Sequence, residues 1–164
     1  RDYHIQMPMQ SAFIGWKQEP DEYLEHILGH DRLEKLNPIK TFRDHDIVVS
    51  FGSDAPCTTP DPIAWMDKAV NNGNAGQAVS VQDALRMCTY NGAWAAFDEQ
   101  ERGSLEAGKI ADMAVLSENP YTVPKDKLSC LRVERLYLSG KSYESCRESI
   151  LPMMLRGLTS RNKA

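Results

Sequence analysis

The run Asp46-Ile47-Val48-Val49-Ser50-Phe51 constrains the fold of this chain more than any other stretch. It is apolar almost without interruption and rich in β-branched residues. A strand with one wet face alternates polar and apolar positions. A strand that reads apolar throughout is covered on both faces, as in parallel sheets flanked by helices. The run passes straight into Gly52-Ser53-Asp54, so a turn and a carboxylate stand at the strand's carboxyl end. Parallel strands need long crossovers, usually helical, and helical segments are therefore expected on either side.

They are readable. Glu19-Pro20-Asp21-Glu22 opens a helix, with proline in the first turn and acidic residues complementing the helix dipole. Leu24, Ile27 and Leu28 give it an apolar face. Gly29 weakens its centre, so it stops there or continues to Leu36, and Asn37-Pro38 breaks it. Residues 39–43 make another short helical turn. A further helix begins near Asp61 with Pro62 in its first turn. Ser80-Val81-Gln82-Asp83 resembles a capping box, and Val81, Leu85, Cys88, Ala95 and Ala96 follow at helical spacing, predicting one helix to about Phe97. Upstream, residues 4–14 read as a buried strand with an irregular exit, and Pro8 implies that it is broken or ends early.

After Gly103 the pattern changes. Residues 110–116 read as a strand, and residues 131–138, Ser139-Gly140 and residues 141–143 read as a hairpin. Helices and buried strands thus precede short strands, which predicts two structural layers. In the tail, Ile150, Leu151, Met154, Leu155 and Leu158 are spaced for an amphipathic helix that Pro152 interrupts. Such a helix would pack on the body or meet another subunit.

Composition narrows the function. The 164 residues carry 19 lysines and arginines against 23 aspartates and glutamates, a net charge of −4. No basic patch suited to phosphates stands out, so nucleic acid is not an expected partner. No apolar run approaches the roughly 20 residues needed to span a bilayer. The start, Arg1-Asp2-Tyr3-His4, lacks the apolar core of a signal peptide. It also lacks an initiator methionine, and the expectation is a processed, truncated or partial chain. Cysteines at 57, 88, 130 and 146 have wide, irregular spacings that fit neither a zinc ribbon nor a CxxC redox motif. Free cysteines in a reducing cytoplasm are expected over a disulfide framework.

Three segments in order carry a resemblance. Val48-Val49-Ser50-Phe51-Gly52-Ser53-Asp54-Ala55-Pro56, with Asp61-Pro62 soon after, resembles the last barrel strand of the amidohydrolase superfamily. Ser80 and the helix that follows it resemble the superfamily's helix carrying A-L-x-x-x-T-x-x-x-A. Gly103-Ser104-Leu105-Glu106-Ala107-Gly108-Lys109-Ile110-Ala111-Asp112-Met113-Ala114-Val115-Leu116 resembles its G-S-(I/L)-x-x-G-K-x-A-D-(L/M)-x-V-L segment. The N-substituted formamide deformylase-like branch is the most similar. That branch has a Gln-Pro pair after the preceding strand, whereas this chain has Gln10-Ser11.

The resemblance implies an α/β fold comprising the last strands and helices of a (β/α)8 barrel plus part of a small β-sandwich domain. By that analogy residues 1–102 belong to the barrel, 103–144 to the sandwich and 145–164 to a C-terminal extension. It also implies a divalent metal, with zinc favoured, and a small-molecule amide or cyclic amide as substrate. The family's His-x-His pair, bridging lysine and two later metal-binding histidines have no counterpart here. The expectation is therefore a partial enzyme. It would hydrolyse non-peptide C–N bonds only with the N-terminal remainder of the barrel and is unlike a membrane protein. The alternative is a non-catalytic truncated or split segment that needs a partner, or self-association, to cover open strands.

Asp54 is the candidate metal ligand and general base. A carboxylate at the carboxyl end of a barrel strand stands where barrel enzymes place catalytic groups, and it can ligate a cation and accept a proton from water. The competing reading is a turn aspartate, common after Gly-Ser. Gln10 and Phe13 follow a strand and either face the pocket or pack. The histidines are poor ligands by position. His26 and His30, at i and i+4, suggest one solvated helix face without a metalloprotease glutamate. His45 and His4 fall at the opposite ends of their strands from Asp54. Cys57 has no local histidine to activate it. Asp112 reads as structural, fixing a turn into a strand, and Trp16, Trp65 and Trp94 as core or interface anchors.

Overall fold

A computed structural model describes residues 5–143. The expectations for His4, Cys146 and the 150–158 helix lie outside the described residues. The buried apolar run forms strand β2, Val48–Phe51, and the upstream segment forms β1, Gln6–Met9. The two pair in parallel, with Gln6 opposite Val48 and Met9 opposite Phe51. Val49 and Ser50 are buried, as a strand covered on both faces requires.

Pro8 does not break β1, but the strand does end early, at Met9. The amides of Val48 and Gly52 donate to the carbonyl oxygens of Ile5 and Met9, so the odd residues of β1 carry its bonds to β2. The nitrogen of Pro8 faces the other edge, where a missing N–H costs no ladder bond.

Helices connect and cover this pair. Helix α1, Asp21–Leu28, ends at Gly29, whose φ of 76° a side chain would resist. Helix α2, His30–Leu33, begins afresh, so the stop at Gly29 prevails over continuation to Leu36. Helix α3, Ile39–Asp44, leads into β2 and buries Ile39 completely. Helix α4, Pro62–Val70, starts as expected: the Asp61 carboxylate accepts from the amides of Ile63 and Ala64, and proline occupies the first turn.

The single helix expected to run to Phe97 is two. Helix α5, Val81–Cys88, and helix α6, Tyr90–Ala95, meet at Thr89. Thr89 has φ −125° and ψ −89°, outside the helical region. Its hydroxyl donates to the Leu85 carbonyl oxygen at 2.8 Å, the back-bonding that bends helices at threonine.

The core gathers Val49 from β2, Ile39 from α3, Met66, Ala69 and Val70 from α4, and Ala84 and Met87 from α5. Leu128 and Leu131 join it from a distant part of the chain. Leu128 belongs to a 3-10 segment, Lys125–Cys130, that lies against α4 and had no foreseen counterpart, and Leu131 follows directly after it. Burying Leu128 completely there stabilises by about 2 kcal/mol.

The remaining strands form a separate antiparallel sheet with β4, Val133–Leu138, between β3, Met113–Leu116, and β5, Lys141–Tyr143. The hairpin turns at Ser139 and Gly140, with φ of 50° and 76°, the two-residue geometry that matches strand twist. Val115, Val133, Leu138 and Tyr143 remain 42–51% exposed on this sheet. No helix among the described residues is long and apolar enough to cross a membrane.

Candidate active site

The parallel pair defines an end of the molecule. Because Met9 stands opposite Phe51, the chain leaves β1 at Gln10 and leaves β2 at Gly52 on the same side. Loops beyond the carboxyl ends of parallel strands are where α/β folds build sites. Gln10, Phe13 and Asp54 all belong to these two loops.

Asp54 is exposed and has φ 52°. Left-handed backbone costs most residues about 1 kcal/mol or more, and aspartate is among those that adopt it with least penalty. The surrounding loop is bonded to itself. The Ala55 amide donates to the Ser53 hydroxyl at 3.1 Å. The Thr58 hydroxyl donates to the Ser53 carbonyl oxygen. The Cys57 amide donates to the Asp54 carbonyl oxygen at 2.9 Å. The carboxylate of Asp54 takes part in none of these bonds, so its oxygens are not consumed by the turn.

The β1 loop is anchored more deeply. Ser11 is 1% exposed, and its hydroxyl donates to the Trp65 carbonyl oxygen of α4 at 2.9 Å. This is the position where the resemblance led one to expect proline, and the hydroxyl gives the departure a packing role. Gln10 and Phe13 are half-buried beside it. The Phe13 ring meets Trp16 edge-on, centroids 4.9 Å apart, which fixes its place in the loop. The Trp65 indole donates to the Thr59 carbonyl oxygen at 3.2 Å, linking α4 to the loop that carries Asp54.

The histidines described are elsewhere. His26 lies on α1 and His30 on α2, so the expected shared helix face is interrupted at Gly29. His30 sits between Glu25 at 3.1 Å and Glu34 at 3.7 Å on the surface. His45 closes α3, with Nδ1 2.8 Å from the Thr41 carbonyl oxygen, just before β2 and opposite the Asp54 end. Among the described residues no group of three or more His, Cys, Asp or Glu side chains is disposed to hold a metal ion. Cys57, Cys88 and Cys130 are free thiols. Burial pushes the Cys88 thiol up to about 12, which makes it a poor nucleophile.

Two motif residues are structural. Asp112 Oδ1 accepts from the Ser139 amide at 2.8 Å and Oδ2 accepts from Arg102 Nη1 at 3.3 Å, so it fixes the β4–β5 turn. Lys109 Nζ donates to the Glu99 carbonyl oxygen at 2.7 Å and the Ser104 hydroxyl at 2.6 Å.

A cavity of about 420 Å³ lies at the amino end of β2, lined by Arg43, Asp83, Arg86, Tyr90, Asn91 and Trp94 among others. Arg43 is bonded to Asp83 at 2.9 Å, and Arg86 stacks over the Tyr90 ring at 4.3 Å. The cavity is thus remote from Asp54 along the strand. Its charged lining was not foreseen, because its parts come from α3, β2, α5 and α6 with no shared motif.

The sequence profile of the amidohydrolase family matches residues 3–143. The N-substituted formamide deformylase of Arthrobacter pascens is 36% identical over 136 residues, covering 79% of this chain and 23% of that protein. An uncharacterised metal-dependent hydrolase from Pyrococcus horikoshii superposes with a TM-score of 0.63 at 24% identity, covering 76% of this chain and 26% of that one. An adenosine deaminase from Xanthomonas campestris with bound zinc superposes with a TM-score of 0.55 at 19% identity, covering 77% and 33%. The chain spans about a quarter of the length of the curated relatives it matches. By its family match and its ordered motifs, this chain belongs to the amidohydrolase family.

Proposed function

We propose that this chain is the carboxyl-terminal part of a metal-dependent hydrolase of non-peptide C–N bonds, in amides or cyclic amides, with Asp54 as metal ligand and general base. The observation that carries the reading is the position of Asp54. In a chain of this family, its carboxylate stands free of the turn's own bonds, at the carboxyl end of a parallel strand pair. Residues 1–102 would then supply the last barrel strands and helices, 103–144 part of the sandwich domain and 145–164 an extension. A cytoplasmic location is consistent with the free thiols.

The donor chemistry fits a divalent cation in one respect only. A carboxylate oxygen is a suitable ligand, but tight zinc binding takes three or four protein ligands, and the described residues hold no group of three or more candidate ligand side chains. The remaining ligands would come from the rest of the barrel. When bound, the cation acidifies water and polarises a carbonyl group. Asp54 accepts the proton that the attacking water loses as its oxygen bonds to the carbonyl carbon, and returns it to the nitrogen as the C–N bond breaks. Gln10 and Phe13, on the neighbouring loop, would contact substrate.

The same incomplete donor set supports a second reading. These 164 residues alone do not turn over substrate, and require the N-terminal remainder of the barrel, or self-association, to cover exposed apolar side chains such as Val115, Val133 and Leu138. Chelator treatment of the full-length protein tests the first reading. Turnover of an N-substituted formamide or cyclic amide should be lost and then restored by adding back a divalent cation. Turnover indifferent to the chelator would refute it.

A further inference from the structure

We infer that Thr58 is a positioning residue for Asp54, an inference that rests on the proposed role of that carboxylate. Asp54 is held at φ 52° in an exposed loop, a backbone state that nothing in its own side chain enforces. What enforces it is a ring of three bonds around it. The Thr58 hydroxyl, half-buried, donates to the carbonyl oxygen of Ser53, the residue immediately before Asp54. The Cys57 amide donates to the carbonyl oxygen of Asp54 itself at 2.9 Å. The Ser53 hydroxyl accepts from the Ala55 amide, the residue immediately after, at 3.1 Å. Both peptide groups flanking Asp54 are therefore fixed.

Thr58 is the one member of this ring that reaches back from outside the turn through a side chain. Removing its hydroxyl frees the Ser53–Asp54 peptide plane, and rotation of that plane swings the Asp54 side chain. A general base has to sit within hydrogen-bond reach of the proton it takes. Displacing it affects the chemical step more than substrate binding. Valine matches threonine in shape and lacks the donor, whereas serine keeps the donor.

The test uses the full-length protein with Thr58→Val and Thr58→Ser. Thr58→Val should lower kcat about tenfold or more with KM within about twofold, as displacement of a reacting group does. It should also speed hydrogen–deuterium exchange in the 52–58 peptide, and Thr58→Ser should restore both. Serine as impaired as valine would overturn the assignment. Faster exchange with unchanged kcat would overturn the positioning role while leaving Asp54's own role intact. Full activity in Asp54→Asn would overturn the reading beneath it, and the inference with it.

Discussion

The side-chain amide of Asn91 donates to the backbone carbonyl oxygen of Val49 at 2.7 Å. The bond matters because of which edge of β2 it occupies. Val48 and Gly52 point their amides at β1, so Val49 presents its backbone to the opposite edge, which carries no strand among the described residues. An unpaired edge invites association. Asn91 satisfies part of it from α6, and the Phe42 carbonyl oxygen takes the Ile47 amide at 3.0 Å just before it. These two bonds cover part of the edge that a further strand would otherwise use.

Asn91→Ala should destabilise the protein by about 1–3 kcal/mol, because it strips a partly buried carbonyl of its partner. Urea denaturation reads this as a lower midpoint at an unchanged slope. An unchanged midpoint would show that water replaces the amide without loss.

Gly103 has φ +88°, and a Cβ built there would stand 2.6 Å from Ala93 Cβ and 3.1 Å from Tyr90 Cα. Gly103→Ala therefore meets both strain and overlap, and should cost about 2 kcal/mol or more. Calorimetry of the variant should show a clear drop in Tm. Stability equal to wild type would contradict close packing at the junction between α6 and the motif segment.

At the start of α5 the Ser80 hydroxyl accepts from the Asp83 amide at 3.0 Å and donates to its carboxylate at 2.7 Å. The same carboxylate binds Arg43. Ser80→Ala should cost about 1 kcal/mol, measured by chemical denaturation. Because Asp83 keeps Arg43, a loss far above that would contradict a simple capping role.

Cys88 offers a pH test. Burial raises its thiol to about 12 from an ordinary value of 9.0. A raised folded-state pKa means that the contribution is intact below pH 9 and is lost as pH climbs from 9 toward 12, by about 1.4 kcal/mol per pH unit. At pH 8 a thiol alkylating reagent should label Cys57 and Cys130, both exposed, well before Cys88. Equal labelling rates in the native protein would contradict the burial of Cys88.

Much of this was legible in residue order. The run ending at Phe51 announced a strand buried on both faces, and its direct entry into Gly52-Ser53-Asp54 placed a carboxylate at the strand's carboxyl end. Ser139-Gly140 announced its turn because both positions need left-handed backbone. What stayed hidden depends on contacts distant in sequence. Thr89 sits at helical spacing, and only its backbone angles reveal the break between α5 and α6. Leu128 belongs to a short polar stretch whose burial depends on α4. Ser11, Thr58 and Asn91 act through single bonds to carbonyl oxygens, for which no periodicity exists.

Asp54→Asn in the full-length protein is the most direct test of the central claim. Asparagine keeps the shape and tolerates the same left-handed backbone, but it cannot accept the proton. Amide hydrolysis, measured after matching the metal content of the two proteins, should fall by a factor of about a hundred or more. A rate within a few fold of wild type would contradict the role given to Asp54.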